Sequence, residues 1–374
     1  MSTARTDRAE GLRVAVVGGG PAGLATALGL ARSGARVRLF ERSPALGEVG
    51  AGLQISPNGA RALAFLGLGD RLARIGVPSR AVVPTDGLTG RPVTRFDLTG
   101  QTPPYRFLSR PALVAALAEA CEAAGVDIDL GVESPDVDAD LIVGADGIRS
   151  GMRAALNGAA SANFSGQVAW RAIIRAEAAA EARIWMLPGR HVVSYPLPDG
   201  RLNLVAVQER TGWAAESWSA PGDPDTLRTS FADACSPLGA LLEKVEETSL
   251  WGLFLHPVAA RWHDVTRVLV GDAAHPTLPF LAQGANLALE DAVVLSRCVA
   301  QGGLAGLPRY QSARQARVTR AIAAARANAA NYHLAGVRRR VAFAGLAGIG
   351  RLAPDAFLRR LAWLYDYDPS TAAL

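Results

Sequence analysis

The chain holds 374 residues, 49% of them hydrophobic and 20% charged, with a formal net charge of +5 and a pI near 9.5. That length buries a sizeable core and favours two domains, while the polar opening MSTARTDRAEGL and the lack of any run of about 18 apolar residues point away from a signal peptide or stable membrane insertion, so the cytoplasm is the expected compartment. The basic balance does not single out nucleic acid, because the arginines from Arg309 to Arg326 are interleaved with alanine rather than aromatics, and no nucleic-acid partner is expected.

In chain order, RVAVV (13–17) is a short apolar run ending in GGGPAGLATALGLARSG, where the helical spacing of Leu24, Leu28 and Ala31 takes over: strand, glycine turn, helix. Gly34 ends that helix and Arg36 to Glu41 is a second strand, the βαβ opening of a doubly wound sheet. Asn58, after Pro57, reads as the cap of a helix running to about Leu66, residues 80–100 alternate like edge strands, and Arg110 to Ala124 is an amphipathic helix. ADLIVGADG, from Ala139, is a buried strand ending in a turn, with Arg149 to Leu156 helical behind it. From Phe164 to about Leu255 the pattern changes to period two: QVAWRAII, then HVVSYPL, a turn at Pro198 to Gly200, then RLNLVAV. This is antiparallel sheet and hence a different domain. VLVGDAAHPTLPFLAQGANLALEDA (268–292) returns to strand, loop and helix, and everything after Leu307 reads as helix. Cys121, Cys235 and Cys298 are odd in number and far apart, so redox chemistry is expected from a borrowed cofactor.

Gly18, Gly20 and Gly23 are spaced GxGxxG between a strand and a helix, with Glu41 closing the next strand. The first glycine permits the tight turn, the second lets backbone approach a pyrophosphate, and the third lets helix and strand pack closely. Glu41 is placed for an adenosine ribose. NAD and FAD both use such a turn; the second glycine-opened helix at Gly284, Ala285 and Asn286 favours a flavin, whose anionic reduced edge suits free backbone N–H groups and the positive helix end. Asp272, at a strand end, is positioned for a ribityl or ribose hydroxyl. An ordinary helix cap stays open as the alternative at Gly284.

VVGGGPAGLATALGLARSGARVRLFER, LIVGADGIRS and VLVGDAAHPTLPFLAQGANLALEDA, in this order, resemble the three fingerprints of the FAD-dependent aromatic hydroxylases, single-component flavoprotein monooxygenases. GAGLQISPNGARAL and LAWLYDYD resemble the salicylate and 3-hydroxybenzoate hydroxylase branch. The fold implied is α/β: a Rossmann-like FAD-binding domain of the aromatic-hydroxylase type, discontinuous over 1–80, 101–160 and 260–335, with an inserted antiparallel β-sheet substrate domain (81–100 and 161–259) and C-terminal helices (336–374). The resemblance implies that Gly18, Gly20, Ala22, Gly23, Glu41 and Arg42 hold the adenosine diphosphate half of FAD, that Arg110 contacts the cofactor with Gln54 beside it, that Asp272 binds the flavin chain and that Gly284 to Asn286 face the ring. Asp146, in GADG, is linked in this family to FAD and nicotinamide cofactor; a structural turn role is equally open. Between Gly125 and Asp140 the chain departs from the family, carrying only VDIDLGVESPDVDA where relatives have an extra β-meander.

The family's route has NADH or NADPH, docking transiently, reduce FAD; O2 then forms a flavin C4a-hydroperoxide that transfers OH to an electron-rich ring. A phenolate is the better target, so a base near the substrate is expected, and His191 leads the five histidines because His191, Val193 and Tyr195 fall on one strand face at period two. The same HxxxY spacing occurs in 3-hydroxybenzoate and hydroxynicotinate members; a histidine satisfied within the sheet is the competing reading. Tyr195 would orient the ring. Gln283 is read either as a substrate or flavin contact or as a plain loop amide. His275 is expected to stabilise its turn, His256, His263 and His333 carry weaker signals, and no pair has metal-ligand spacing, so no metal is expected. The WxWxIP motif of flavin halogenases is absent; the nearest string is WSAP at Trp218. VAFAGLAGIG (341–350) reads as a packed helix or an oligomer contact, leaving a homodimer open. The function expected is hydroxylation of a small phenolic or N-heteroaromatic acid, with a larger polycyclic or isoprenoid substrate, or a non-catalytic FAD-binding protein, as alternatives.

Overall fold

The computed structural model describes residues 9–47, 52–133, 137–159, 161–212 and 221–374. The MSTARTDR opening and the Trp218 string lie outside them. β1 (Arg13–Val17), α1 (Pro21–Arg32) and β2 (Arg36–Glu41) form the predicted βαβ unit, with β1 and β2 parallel. β3 (Gly52–Ile55) precedes α2 (Pro57–Phe65), α3 (Gly69–Ile75) and β4 (Val77–Pro78); β5 (Ala81–Asp86), β6 (Phe96–Asp97), β7 (Arg106–Ser109), α4 (Arg110–Ala123), β8 (Asp127–Leu130), β9 (Leu141–Gly144) and α5 (Gly151–Asn157) follow. The long strands are β10 (Asn163–Arg175), β11 (Glu181–Leu187), β12 (Arg190–Leu197) and β13 (Arg201–Glu209). After them come β14 (Pro221–Gly222), α6 (Pro224–Ser230), α7 (Ser236–Leu242), β15 (Thr248–Leu255), β16 (Arg267–Leu269), α8 (Gly284–Gly302), α9 (Leu307–Tyr332), α10 (Gly336–Leu352) and α11 (Ala356–Tyr365).

These strands make a five-stranded parallel sheet, β16-β9-β1-β2-β8, an eight-stranded sheet, β14-β15-β10-β13-β12-β11-β5-β6, and a small sheet, β3-β7-β4, between them. The eight-stranded sheet is antiparallel except where β5 lies parallel to β11. The β12–β13 hairpin closes over the three residues Pro198 to Gly200, with Leu197 opposite Arg201, and Asp199 and Gly200 both have positive φ (67° and 68°), which turns the chain back. One large core joins the parallel sheet to α1, α4, α8 and α9, and a second packs the back of the eight-stranded sheet on α6 and α7.

One local expectation is corrected. Asn58 does not cap α2: Ser56 occupies the cap position, Pro57 is the first helical residue, where its missing N–H costs nothing, and Asn58 lies buried inside the first turn. The shortened segment after Gly125 leaves β8 as the sheet's last strand, and Arg13 ties the returning chain down through Asp138 and Asp140; residues 134–136 lie outside the described residues. Among the described residues no single helix is long and apolar enough to cross a membrane.

Candidate functional site

Two glycine-opened helices converge beside the parallel sheet. At the first, Gly18 has φ +114°, and a Cβ on it would collide with the carbonyl of Ala145, while a Cβ on Gly23 would collide with the carbonyl of Gly18. Only glycine permits this packing of turn, helix and neighbouring strand. Gly20 caps α1 and Pro21 opens it, so Ala22 and Gly23 supply the leading amides; Leu24 N–H is the first to bond back, to the Gly20 carbonyl at 3.0 Å. The Glu41 carboxylate accepts from Gly19 N–H at 2.6 Å and from Ser43 N–H at 2.9 Å, which fixes an acid against the turn. Arg110, first residue of α4, brings its guanidinium to 3.7 Å from where a Gly20 Cβ would stand. Arg42 is exposed near Glu133. Asp146 accepts from Met152 N–H, and its other carboxylate oxygen is buried with no partner among the described residues.

The second helix end is joined to the first by Gly271 (φ +59°), where a Cβ would press on Ala22 and Ala288. Asp272 follows in a single 3-10 turn. Its side chain is exposed, yet surrounding protein pushes its carboxyl up through desolvation, opposed by His275, Arg110, Arg153 and His256. Exposed and crowded together describe a side chain lining a recess. Ala282, with φ +52°, turns the chain into α8, and Leu287 N–H is the first amide to find a helical acceptor, Gln283 O at 2.8 Å. The amides of Gly284, Ala285 and Asn286 are therefore uncommitted at the positive end of a 19-residue helix. The uncommitted amides, the recessed acid, the orphaned Asp146 oxygen and the collision-free glycine track fit a long dinucleotide such as FAD.

Three side chains around this cradle turn inward. Asn286 accepts from Ser56 N–H and donates to the carbonyls of Gln54 and Ala282. The Gln54 side chain accepts from the Tyr105 hydroxyl at 2.9 Å. Gln283 donates to Ser56 and to the Leu281 carbonyl and accepts from Asn58. Asn58 continues to Glu290, at 2.6 Å, and there a buried network begins. Arg314 bonds Glu290 and Asp291, Arg317 bonds Glu290, and His275 and Gly271 N–H both bond Asp291. Arg314, Glu290 and Asp291 have no solvent exposure. Coulombic attraction to Arg314 lowers the Glu290 pKa and, with His275, that of Asp291, overcoming the desolvation that opposes it. His275 thus stabilises its turn by pinning it to α8.

The front of the eight-stranded sheet faces this cradle through β3. Register places Ala169, Val207 and His191 in one row, Arg171, Val205 and Val193 in the next, and Ile173, Asn203 and Tyr195 in the third. His191 and Tyr195 do share a face. Tyr195 is packed against Phe107 (5.2 Å between rings) and against Gly52, where a Cβ would crowd its hydroxyl, and burial raises its pKa. His191 is 1% exposed, beside Phe280 and Tyr332, and its Nδ1 is 2.7 Å from His333 Nε2. His333 Nδ1 is 2.9 Å from Glu209. Burial is the largest cause lowering the pKa of both imidazoles; the His333 charge adds to it at His191, while Glu209 opposes it at His333.

Sequence reasoning missed Arg171. Its guanidinium lies 4.5 Å over the Trp251 ring, and among the described residues it has no carboxylate partner. Burial lowers its pKa, with Tyr195 opposing and Arg110 adding to the fall. The signal was readable: one cation at an apolar position of QVAWRAII. The pairing of His191 with His333, 142 residues away, left no such signal. Among the described residues no group of three His, Cys, Asp or Glu side chains is arranged to hold a metal ion.

A family model described as an FAD binding domain matches residues 11–135 and 131–325. The chain is 35% identical to 3-amino-4-hydroxybenzoate 2-monooxygenase of Streptomyces cremeus over 86% of this chain and 88% of that protein. It is 30% identical to 3-hydroxybenzoate 6-hydroxylase 1 of Aquipseudomonas alcaligenes over 94% and 97%. A salicylate hydroxylase solved as a substrate complex superimposes with a TM-score of 0.80 at 23% identity, over 97% of each chain, a likeness of fold.

Proposed function

The chain belongs to the FAD-binding-domain family of flavoprotein monooxygenases, and from that premise we propose that it hydroxylates a small aromatic acid bearing a phenolic or N-heteroaromatic hydroxyl. FAD is the cofactor and NADH or NADPH the reductant; when bound, FAD supplies the electrons and the activation of O2. Gly18, Gly20, Ala22, Gly23, Glu41 and Arg42 would hold its adenosine diphosphate half, with Arg110 and Gln54 alongside, Asp272 would take its chain, and the amides of Gly284 to Asn286 would meet its ring.

The observation that carries the substrate class is Arg171. Arg171 is half-buried over the Trp251 ring and has no carboxylate partner among the described residues, so a ligand carboxylate would answer its charge. His191 sits two strands and one row away, which sets their Cα atoms about 12 Å apart by strand spacing and rise. That separation suits one aromatic ring, with the carboxylate at Arg171 and the hydroxyl at His191. His191 holds the phenol proton, Tyr195 orients the ring, and Phe280 and Leu278 pack over the sheet and exclude water. We place the enzyme in the cytoplasm, where NAD(P)H is available, and read the exposed apolar residues Val341, Ile349 and Leu352 of α10 as a homodimer contact.

A panel of hydroxy aromatic acids, each paired with its decarboxylated analogue and joined by larger polycyclic phenols, tests the proposal through stimulated NAD(P)H oxidation, O2 uptake and product mass. Acids are expected to stimulate turnover and gain one oxygen atom, and their decarboxylated analogues to do so far more weakly. Equal rates with and without the carboxylate sink the role of Arg171; no stimulation by any member leaves an FAD-binding protein.

A further inference from the structure

His191 is sealed from solvent, so a base there needs somewhere to send its proton. The chain of contacts beyond it runs outward. His191 Nδ1 meets His333 Nε2 at 2.7 Å and His333 Nδ1 meets Glu209 at 2.9 Å, while exposure rises from 1% at His191 to 58% at the Glu209 side chain. All three are held by the turn between β11 and β12, where Gly189 N–H donates to the His333 carbonyl and the Gly189 carbonyl accepts from Glu209 N–H, one residue before His191's own strand neighbour Arg190.

The carboxylate sets the direction of every proton in this chain. An ionised Glu209 accepts the Nδ1–H of His333, which leaves His333 Nε2 as an acceptor; that nitrogen takes the Nδ1–H of His191, which leaves the lone pair of His191 Nε2 without a protein partner among the described residues. Both imidazoles are held neutral by burial, as this arrangement requires. The other titratable group against His191 is Tyr332, with its pKa pushed up to about 12 by burial, and the neighbouring charges are paired among themselves, Arg339 with Asp86 and Arg190 with Asp233.

We propose that His191, His333 and Glu209 form a proton conduit that carries the hydroxyl proton of a bound phenol from the closed interior of the site to solvent, an inference that rests on the reading of His191 as the base. The phenol O–H bond breaks as the proton joins His191 Nε2, the Nδ1 proton of His191 passes to His333 Nε2, the Nδ1 proton of His333 passes to Glu209, and Glu209 releases it to water. The phenol is left as phenolate, each imidazole ends neutral in its other tautomer, and one proton enters solvent. His191 is the catalytic residue here; His333 and Glu209 act through it.

The test uses the full chain loaded with FAD and a probe, 4-hydroxy-3-nitrobenzoate, whose ionisation is seen by absorbance with no turnover. After a stopped-flow jump to higher pH, Glu209→Gln and His333→Gln are expected to ionise the bound probe slower by on the order of tenfold or more, with FAD content and probe affinity unchanged. Formate is expected to speed Glu209→Ala back toward the parent rate, and the parent to show a solvent deuterium effect with more than one proton in flight. Glu209 is exposed, so its variants report even where a His333 variant folds poorly. Parent-rate ionisation in Glu209→Gln, with His191→Gln slow, overturns the conduit and leaves the base. Parent-rate ionisation in His191→Gln overturns both.

Discussion

Two buried polar regions lie on either side of the cofactor cradle, and they differ in whether their charges are answered. Between α8 and α9, Arg314 and Arg317 meet Glu290 and Asp291, with His275 and Asn58 closing the remaining positions. On the front of the eight-stranded sheet, among the described residues, Arg171 stacks on Trp251 with no carboxylate partner and His191 bonds through Nδ1 alone. In the first region every charge has an opposite partner without a ligand, although His275 Nδ1 is left without one, and the region acts as scaffold, fixing Gly271 and the start of α8 to the rest of the fold. The second is incomplete, and incompleteness inside a protein is costly unless something arrives to relieve it.

This contrast breaks first at Arg314. Arg314→Ala removes the cation shared by two buried carboxylates, leaving Glu290 to Arg317 and Asn58 and Asp291 to His275 and Gly271 N–H, and is expected to cost about 3–5 kcal/mol of stability, seen as a large fall in Tm and loss of FAD. A Tm within a degree or two of the parent removes the network from the scaffold. Arg171→Leu is expected to act in the opposite sense on the ligand-free protein, leaving its Tm unchanged or higher, while binding of an aromatic acid weakens by about 2–4 kcal/mol in titration calorimetry. A destabilised Arg171→Leu protein that still binds the acid normally makes Arg171 scaffold too.

Smaller effects sharpen the boundary. Glu41→Ala is expected to weaken FAD retention by about 1–3 kcal/mol, measured by FAD release on dilution, since its carboxylate is bound to the turn by two backbone amides and would meet the ribose on the proposed reading. Unchanged retention restricts Glu41 to holding the turn. The least effect is on pH. The native pKa of His191 lies well below its ordinary value near 6.5, so below that pH the unfolded chain takes up the proton first and stability falls as pH falls. His191→Phe is expected to flatten the fall of Tm between about pH 7 and pH 5.5, by at most about 1.4 kcal/mol per pH unit. An unaltered slope means that the native imidazole takes up its proton over the same range as the unfolded one.

What the sequence revealed was local. The glycine turn at Gly18 to Gly23, the acid closing β2 and the hairpin at Asp199 and Gly200 each state their own geometry within a few residues, because backbone conformation and strand period are short-range. The face shared by His191 and Tyr195 follows from period two in the same way. What escaped was decided at long range. Asn58 reads as a cap in its own neighbourhood, but Glu290, 232 residues on, takes its amide, and the Gln283 side chain turns to Ser56 and Asn58. His333, on its own helix end, gives no sign that it will stand against His191. Nor does Arg171 show in sequence that no acid will meet it, because a missing partner becomes visible only once every neighbour is placed.

The short link after Gly125 has a further effect, on how molecules behave when crowded. Among the described residues no strand pairs with the outer side of β8, and an open strand offers its unpaired amides and carbonyls to any extended chain that drifts past. DIDL is a poor template for such an encounter. Asp127 and Asp129 alternate along it, and Arg38 crosses to Asp129 at 2.9 Å, so an incoming strand meets repulsion and salt bridges instead of a smooth apolar ribbon. These acidic side chains are thus the guard against aggregation at that border.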